Sequence, residues 1–318
     1  MKQTKNLLLK NILKITFTLL AINSANADVA NEGGRIGEAR RVENVNEFKV
    51  CADQDGLPYS NDKLEGFENK IAELIAADLG KTLSYQFWYD RTGYLRNTLN
   101  ANKCDVIMST TSDNDALLTT KPYYRTGYVF LYRKDSGYNI TDWDSPDLKK
   151  GLIGVVGQTP PSIPMNEKGL INNARPYRLM RDLNLNPGYM IDDLIKGDIQ
   201  VAIQWGPIAG FYAKQAKLKQ NVDLVMVPVP EYEYTNPKGK QYWNISMGFR
   251  KKDKERRDLV QGVLDRRQAD IFKIMDDFNI PHVPVIAGDS IEKIYQESIH
   301  KKTGIEKEPR GDIVPKSE

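Results

Sequence analysis

Apolar residues along this chain alternate between short continuous runs, typical of buried strands, and the spacing of an amphipathic helix. Residues 48–52 predict a first strand, and Phe67, Ile71 and Ile75 then recur every four residues, which predicts a helix that ends at Gly80. Further strands are expected at 83–89, 105–109, 123–133, 152–156, 177–180, 199–205, 224–229 and 243–250, and helices at 93–102, 164–169, 189–196, 207–219 and up to 279. This alternation predicts an α/β fold with mostly parallel sheets.

The strands and helices fall into two sets joined by two long strand segments, which predicts two lobes separated by a cleft. The crossings between the lobes are expected near 133–136 and 231–242. The expected limits are lobe 1 at 47–134 plus 241–284, lobe 2 at 135–229, a return hinge at 230–240, an N-terminal arm at 28–46 and a C-terminal extension at 285–318. The extension carries a helix pattern at 289–302 and a polar end expected to be disordered.

The first 27 residues predict a secretory signal peptide. Four lysines precede an apolar run at 15–22, and the triplet Ala25-Asn26-Ala27 follows. An N-terminal membrane anchor is the alternative, but the run is shorter than the roughly 20 apolar residues that span a bilayer. We therefore expect cleavage after Ala27 and a periplasmic protein whose mature form has no transmembrane segment.

Removal of the signal changes the charge of the protein. The mature chain of 291 residues holds 41 Lys and Arg against 42 Asp and Glu, a formal charge of −1 instead of +3. The remaining basic run at 250–257 (RKKDKERR) contains Asp253 and Glu255 and is typical of a solvated helix start. No nucleic-acid partner is therefore expected.

Cys51 and Cys104 are the two cysteines of the chain. A lone pair in an oxidising compartment usually forms a disulfide, and the two residues lie on strands that are commonly neighbours in a doubly wound sheet. A register slip of one residue would instead leave two buried thiols. Without histidine partners this pair makes a poor metal site, and no metal is expected.

Several longer phrases carry a family resemblance: GFENKIAELIAADLG, CDVIMSTTSDNDALLTTKPYY, GLIGVVGQT and GDIQVAIQWGPIAGFYAKQ. On these phrases residues 48–279 resemble a type II periplasmic solute-binding protein of the amino-acid-binding branch. The phrases VCADQDGLPYSN and GYLRNTLNANKCDVIM are more similar to one subgroup, the MxaJ/MoxJ-type proteins associated with quinoprotein (PQQ-dependent) methanol dehydrogenase. The sister type, associated with the lanthanide-dependent enzyme, is similar as well.

The resemblance implies a two-lobed type II periplasmic binding protein fold, in which each lobe is a mostly parallel sheet flanked by helices and two hinge strands join the lobes. It further implies a non-catalytic protein that holds no cofactor and whose partner is the periplasmic methanol dehydrogenase or an assembly intermediate of it. A small-molecule ligand in the cleft stays open at this point.

Two charges that bind an α-amino acid in the family are missing. Relatives place an arginine nine residues before a Pro-Tyr pair, where it binds the ligand carboxylate, and this position is Asp113 here. Relatives also place an aspartate after the last strand of lobe 2, where it binds the ligand ammonium group, and this position is Trp205. The sequence therefore predicts that the protein is not an ordinary amino-acid carrier.

Other cleft residues follow from the same resemblance. Thr159 stands where relatives bind an anionic ligand, although Pro160 and Pro161, which lack N–H groups, weaken that site. Tyr59, Tyr94 and Trp205 are expected either to form an aromatic cleft or simply to pack. The complete set of candidate cleft residues is Asp53, Tyr59, Tyr94, Thr110, Asp113, Gln158, Thr159 and Trp205.

Catalytic interpretations have less support. Both histidines, His282 and His300, lie beyond the core, and no nucleophile elbow, phosphate loop or haem-attachment motif occurs. The acidic residues Asp53, Asp55, Asp62 and Glu65 lack the spacing of a calcium loop. Three hypotheses remain: an accessory protein of the dehydrogenase, a receptor that delivers a non-amino-acid solute to an ABC transporter, and an enzyme that uses Glu65 and Asp113.

Overall fold

The computed structural model describes residues 44–179, 181–231 and 239–286. The predicted signal peptide, the arm up to residue 43 and the extension from residue 287, including its predicted helix, lie outside these ranges. Within them, no helix combines the length and the apolar character needed to cross a membrane.

The secondary structure alternates as predicted. The strands are β1 (Glu47–Ala52), β2 (Asp55–Gly56), β3 (Ser60–Asn61), β4 (Thr82–Phe87), β5 (Val106–Thr111), β6 (Leu118–Thr119), β7 (Tyr124–Arg133), β8 (Ile153–Val156), β9 (Ala174–Tyr177), β10 (Val201–Trp205), β11 (Leu224–Pro228) and β12 (Tyr242–Phe249). The helices are α1 (Phe67–Asp78), α2 (Tyr94–Asn97), α3 (Ser162–Glu167), α4 (Tyr189–Lys196), α5 (Gly206–Gln220) and α6 (Lys254–Asp277).

Each lobe is centred on parallel strands, as the fold class requires. The order in lobe 1 is β4-β1-β5, and the order in lobe 2 is β10-β8-β9, with parallel pairing throughout both groups. Strands β7 and β12 lie between the two groups and pair with their neighbours in the antiparallel direction. The result is the two-lobed type II periplasmic binding protein fold.

Strand β7 belongs to both lobes. Its first residues, up to Gly127, pair with β12, and its residues from Tyr128 onward pair with β10 and β11. The crossing expected at residues 133–136 is therefore corrected to Gly127–Tyr128. The strand pattern of β7 is uninterrupted, and nothing in it marks the residue at which the strand changes partners. The other limits of the lobes stay a prediction.

Two predicted elements differ from those observed. The helix expected at 93–102 is reduced to α2, because Thr98 leaves helical geometry with φ −120° and ψ −88°. The strand expected at 177–180 is β9, which ends at Tyr177 rather than beginning there. Tyr177 lies opposite Val156, the last residue of β8, so a longer β9 would have no strand to pair with in that direction.

Each lobe has its own apolar core. In lobe 1 the face of α1 formed by Phe67, Ile71 and Ile75 is completely buried and packs beneath the sheet together with α6. In lobe 2 Phe130 meets Trp143 edge to face, with ring centres 5.0 Å apart, within a second cluster. Full burial of one such side chain stabilises the folded state by about 1.5–3 kcal/mol relative to leaving it exposed. Because the two clusters lie in different lobes, each lobe has its own hydrophobic stabilisation.

The cysteine prediction is confirmed. Cys51 in β1 and Cys104, just before β5, form a disulfide with Cα atoms 5.3 Å apart. Val50 and Cys51 lie opposite Val106 and Ile107 in the parallel register, so the segment that carries Cys104 enters β5 beside β1. The bridge lies in a buried cluster with Leu99 and Leu117.

Candidate functional site

Two adjoining cavities occupy the cleft region. The first, which we call the interlobe cavity, has a volume of about 360 Å³ and is lined by both lobes. The second, the lobe 1 cavity, has a volume of about 750 Å³ and is lined by lobe 1 residues together with Trp205. Side chains common to both cavities are Asp53, Tyr59, Asp90, Arg91 and Trp205.

The ends of the parallel strands position these side chains. Asp53 directly follows β1, and Trp205 is the last residue of β10 and the N-cap of α5. In open α/β sheets ligands bind outside the carboxyl ends of the strands, where the direction of winding reverses. Both residues occupy that edge of the sheet, which makes the cavities the candidate binding site.

Six of the eight residues expected in the cleft line a cavity. They are Asp53, Tyr59, Tyr94, Thr110, Thr159 and Trp205. The other two line neither cavity: Asp113 is exposed in the turn after β5, and Gln158 is exposed with a left-handed φ of 64°. Glu65, weighed as a catalytic carboxylate, is also exposed and lines neither cavity. The turns that carry Asp113 and Gln158 direct both side chains to solvent. The spacing of residues in the sequence does not distinguish such an exposed turn position from a position that faces the cleft.

Trp205 and Tyr59 contact each other across the cleft. The indole N–H of Trp205 in lobe 2 donates to the hydroxyl of Tyr59 in lobe 1 over 2.5 Å. Trp205 also packs edge to face against Tyr128 and Trp243, with ring centres 5.3 and 5.7 Å away. The position at which relatives carry an aspartate is thus part of an aromatic cluster.

Thr159 is buried, and its hydroxyl donates to the backbone carbonyl of Val156 over 2.6 Å. The backbone carbonyl of Thr159 in turn accepts from the Ser162 N–H and hydroxyl. The following α3 has six residues and is preceded by two prolines. Thr159 therefore stabilises the turn between β8 and α3, and its hydroxyl hydrogen is already bonded within lobe 2.

Arg181 forms a second contact between the lobes that the sequence did not predict. Its guanidinium donates to the Asp55 carboxylate over 2.6 Å and also to the Asp55 backbone carbonyl. Arg91 of lobe 1 reaches back and donates to the backbone carbonyl of Arg181 over 3.0 Å. The two lobes are therefore joined at the cleft by their own side chains.

Glu68 is the main functional candidate that sequence reasoning missed. It is 9% exposed, lines the lobe 1 cavity and accepts a hydrogen bond from the Ser109 hydroxyl. Burial, with smaller contributions from the negative charges of Asp90 and Asp53, raises the pKa of the Glu68 carboxyl to about 7, although the Ser109 hydrogen bond opposes the shift. The sequence contained evidence for this position. Glu68, Ile71 and Ile75 have the spacing of one helix face, which places the Glu68 carboxylate on the apolar side of α1.

The chemistry of the cleft favours binding. Burial holds the pKa values of the Tyr59 and Tyr94 phenols well above their usual range, so both hydroxyls stay neutral. His282 stacks on Phe272 and lines neither cavity. Within the described residues no group of three or more His, Cys, Asp or Glu side chains is arranged to hold a metal ion.

Comparisons with known proteins agree with the fold. Residues 48–278 match the model of the bacterial extracellular solute-binding proteins, family 3. Protein MoxJ of Methylorubrum extorquens AM1 is 30% identical over 251 residues, which cover 75% of this chain and 82% of MoxJ.

Two solved structures are similar as well. MxaJ from Methlophaga aminisulfidivorans MPT is 27% identical with a TM-score of 0.66, over 74% of this chain and all of that one. The periplasmic binding protein XoxJ from Methylobacterium extorquens AM1 is 31% identical with a TM-score of 0.62, over 75% of this chain and all of that one. The resemblance to the MxaJ/MoxJ type is confirmed, and the chain belongs to the bacterial extracellular solute-binding proteins, family 3.

Proposed function

We propose that this protein is a non-catalytic periplasmic accessory protein of methanol oxidation. It binds a PQQ-dependent methanol dehydrogenase, or an assembly intermediate of that enzyme, and assists its maturation. The quinone belongs to the dehydrogenase, and the accessory protein itself holds no cofactor. The similarity to MoxJ and MxaJ over most of the chain supports this assignment.

The observation that carries the proposal is the state of the cleft. Where an amino-acid receptor would surround a ligand, Trp205 contacts Tyr59 and Arg181 contacts Asp55 directly. The residue expected to replace the carboxylate-binding arginine, Asp113, faces solvent. A cleft joined by its own side chains does not require a transported solute in order to close, which leaves the outer surface for a protein partner.

Deletion of the gene tests the proposal. In the deletion strain we expect the dehydrogenase polypeptides to be exported but poorly active or incompletely assembled. The wild-type mature protein restores activity, and so do the folded Trp205→Ala and Thr159→Ala variants, because partner binding does not use the cleft. Normal dehydrogenase activity in the deletion strain contradicts the proposal.

Affinity capture from periplasmic extract provides the direct measurement. The tagged protein is expected to retain the dehydrogenase or an incompletely assembled form of it. A tagged amino-acid receptor of the same family serves as the matched control and is expected to retain neither. Equal recovery of the dehydrogenase with both tagged proteins would show that its binding is non-specific.

A second candidate function is a receptor that delivers a non-amino-acid solute to an ABC transporter. The lobe 1 cavity favours it, since about 750 Å³ is ample for a small molecule. Loss of uptake of one solute in the deletion strain, together with normal dehydrogenase activity, would establish this function in place of the first.

A further inference from the structure

We infer that the lobe 1 cavity binds a small organic cation, a protonated amine or guanidinium group with a short apolar chain, and that Glu68 pairs with its charge. This inference goes beyond the proposed function and does not depend on it. It concerns the ligand class of the cavity, whichever partner the protein has.

The environment of Glu68 is the first observation. The side chain is more than nine-tenths buried and faces the cavity. Its Oε1 atom accepts from Ser109, whereas Oε2 has no hydrogen-bond donor, and the carboxylate no ion pair, in the part of the chain that the structure describes. A buried carboxylate without a counter-charge is costly, and a cation in the cavity would remove that cost.

Two more carboxylates face the same space. Asp53 accepts hydrogen bonds from the backbone N–H groups of Asp55 and Asp90, over 2.8 and 3.0 Å, which hold its side chain in place. Neither Asp53 nor Asp90 forms an ion pair with any described residue, and both lie close enough to Glu68 to act on its ionisation. The negative charge therefore converges on one region of the cavity.

The basic residues of the cavity do not neutralise this charge. Arg91 and Arg96 line the cavity but are exposed at its edge. Arg91 donates to the backbone carbonyl of Arg181, across the cleft. Neither arginine forms an ion pair with Asp53, Glu68 or Asp90 in the described structure, so the carboxylates stay available to a ligand.

Aromatic rings define the rest of the ligand class. Tyr59, Tyr94, Tyr124 and Trp205 line the cavity beside the carboxylates. Aromatic faces attract organic cations and pack against short apolar chains. An inorganic metal ion fits less well, because the described residues contain no cluster of three metal-binding side chains. An anionic ligand would be repelled by the carboxylates of Asp53, Glu68 and Asp90.

Calorimetry with the mature protein at neutral to slightly alkaline pH tests the inference. The probes are putrescine and agmatine, with 1,4-butanediol as the uncharged analogue of putrescine. We expect putrescine and agmatine to bind and 1,4-butanediol not to bind. Glu68→Gln is expected to lower the affinity by about tenfold or more, as for loss of a charge-assisted hydrogen bond.

Glu73→Gln is the matched control, since Glu73 is exposed on the same helix and lines neither cavity. Its affinity should equal that of the wild type. If Glu68→Gln does not fold, Asp90→Asn replaces it, because Asp90 is exposed and its change spares the core. Absence of cation binding at millimolar concentration, or an unchanged affinity in the folded variant that is used, overturns the inference.

Discussion

The indole N–H of Trp205 donates to the hydroxyl of Tyr59 across the two lobes, over 2.5 Å. The sequence left open whether these residues form an aromatic cleft or simply pack, and in the structure the hydrogen bond joins them to each other. Tyr59 further packs on Phe67 of the lobe 1 core, with ring centres 5.3 Å apart. The contact therefore couples the core of lobe 1 to the start of α5 in lobe 2.

A double-mutant cycle measures this coupling. Trp205→Phe removes the donor and Tyr59→Phe removes the acceptor, while both keep an aromatic ring. We expect a coupling free energy of about 0.5–1.5 kcal/mol in urea unfolding, as for a single net hydrogen bond. Strictly additive effects of the two substitutions would mean that the hydrogen bond does not form in solution.

Arg181→Ala should open the cleft. The guanidinium is held by Asp55 of lobe 1, and its side chain is only 15% exposed. Loss of this ion pair removes the polar contact on which the loop after β9 rests, so small-angle scattering should report a larger radius of gyration.

The matched control is Arg178→Ala. Arg178 lines the interlobe cavity but is exposed and forms no ion pair in the described structure. Its scattering curve should match that of the wild type. Identical curves for all three proteins would show that the Arg181 contact does not hold the lobes together.

Stability should depend on pH through Glu68. The folded-state pKa of about 7 lies above the ordinary value of 4.5, so between these values the folded protein binds more protons than the unfolded chain. Stability is therefore greatest below pH 4.5 as far as this group is concerned, falls as the pH rises towards 7 and stays reduced above it. The maximal effect is about 3 kcal/mol.

Urea unfolding at pH 5 and pH 8 measures this dependence, with Glu68→Gln as the variant that removes it. The groups around Glu68 are the carboxylates of Asp53 and Asp90, the Ser109 hydroxyl and the neutral phenols of Tyr59, Tyr85, Tyr94, Tyr123 and Tyr124. An equal pH dependence in wild type and variant would assign the effect to another group.

Free α-amino acids should not bind with physiological affinity. Asp113 points to solvent and Trp205 carries no charge, so the two ion pairs that hold an α-amino acid in relatives are absent. Each charge-assisted hydrogen bond is worth about 1.5–3 kcal/mol. Arginine and agmatine, which differ by the carboxylate, form a matched pair for calorimetry, and arginine should bind more weakly than agmatine because its carboxylate would meet the carboxylates of the lobe 1 cavity. Micromolar binding of any standard amino acid would contradict this prediction.

The disulfide should leave no titratable thiol in the unfolded, unreduced mature protein. Cys51 and Cys104 are 53 residues apart in sequence, so the bridge closes a long loop. Replacement of both cysteines by alanine should lower the free energy of unfolding by about 2–5 kcal/mol. Two reactive thiols in the unreduced protein would show that the bridge is not formed.

The sequence by itself determined the order of elements and the fold class. The alternation of apolar patterns is a local property, and Phe67, Ile71 and Ile75 fall on one buried face because the helix repeat places them there. The same holds for α4, whose limits were predicted without error. The disulfide followed from the position of Cys51 in one strand and of Cys104 at the start of another, since this fold makes the two strands neighbours.

Only the tertiary structure decided the chemistry of the cleft. The hydrogen bond that Glu68 accepts from Ser109 spans 41 residues, and the contact of Arg181 with Asp55 spans 126 residues. The point at which β7 changes partners is likewise a matter of pairing with β12 and β10. Such relationships arise from how separate elements pack, and no local pattern of residues records which distant side chains will meet.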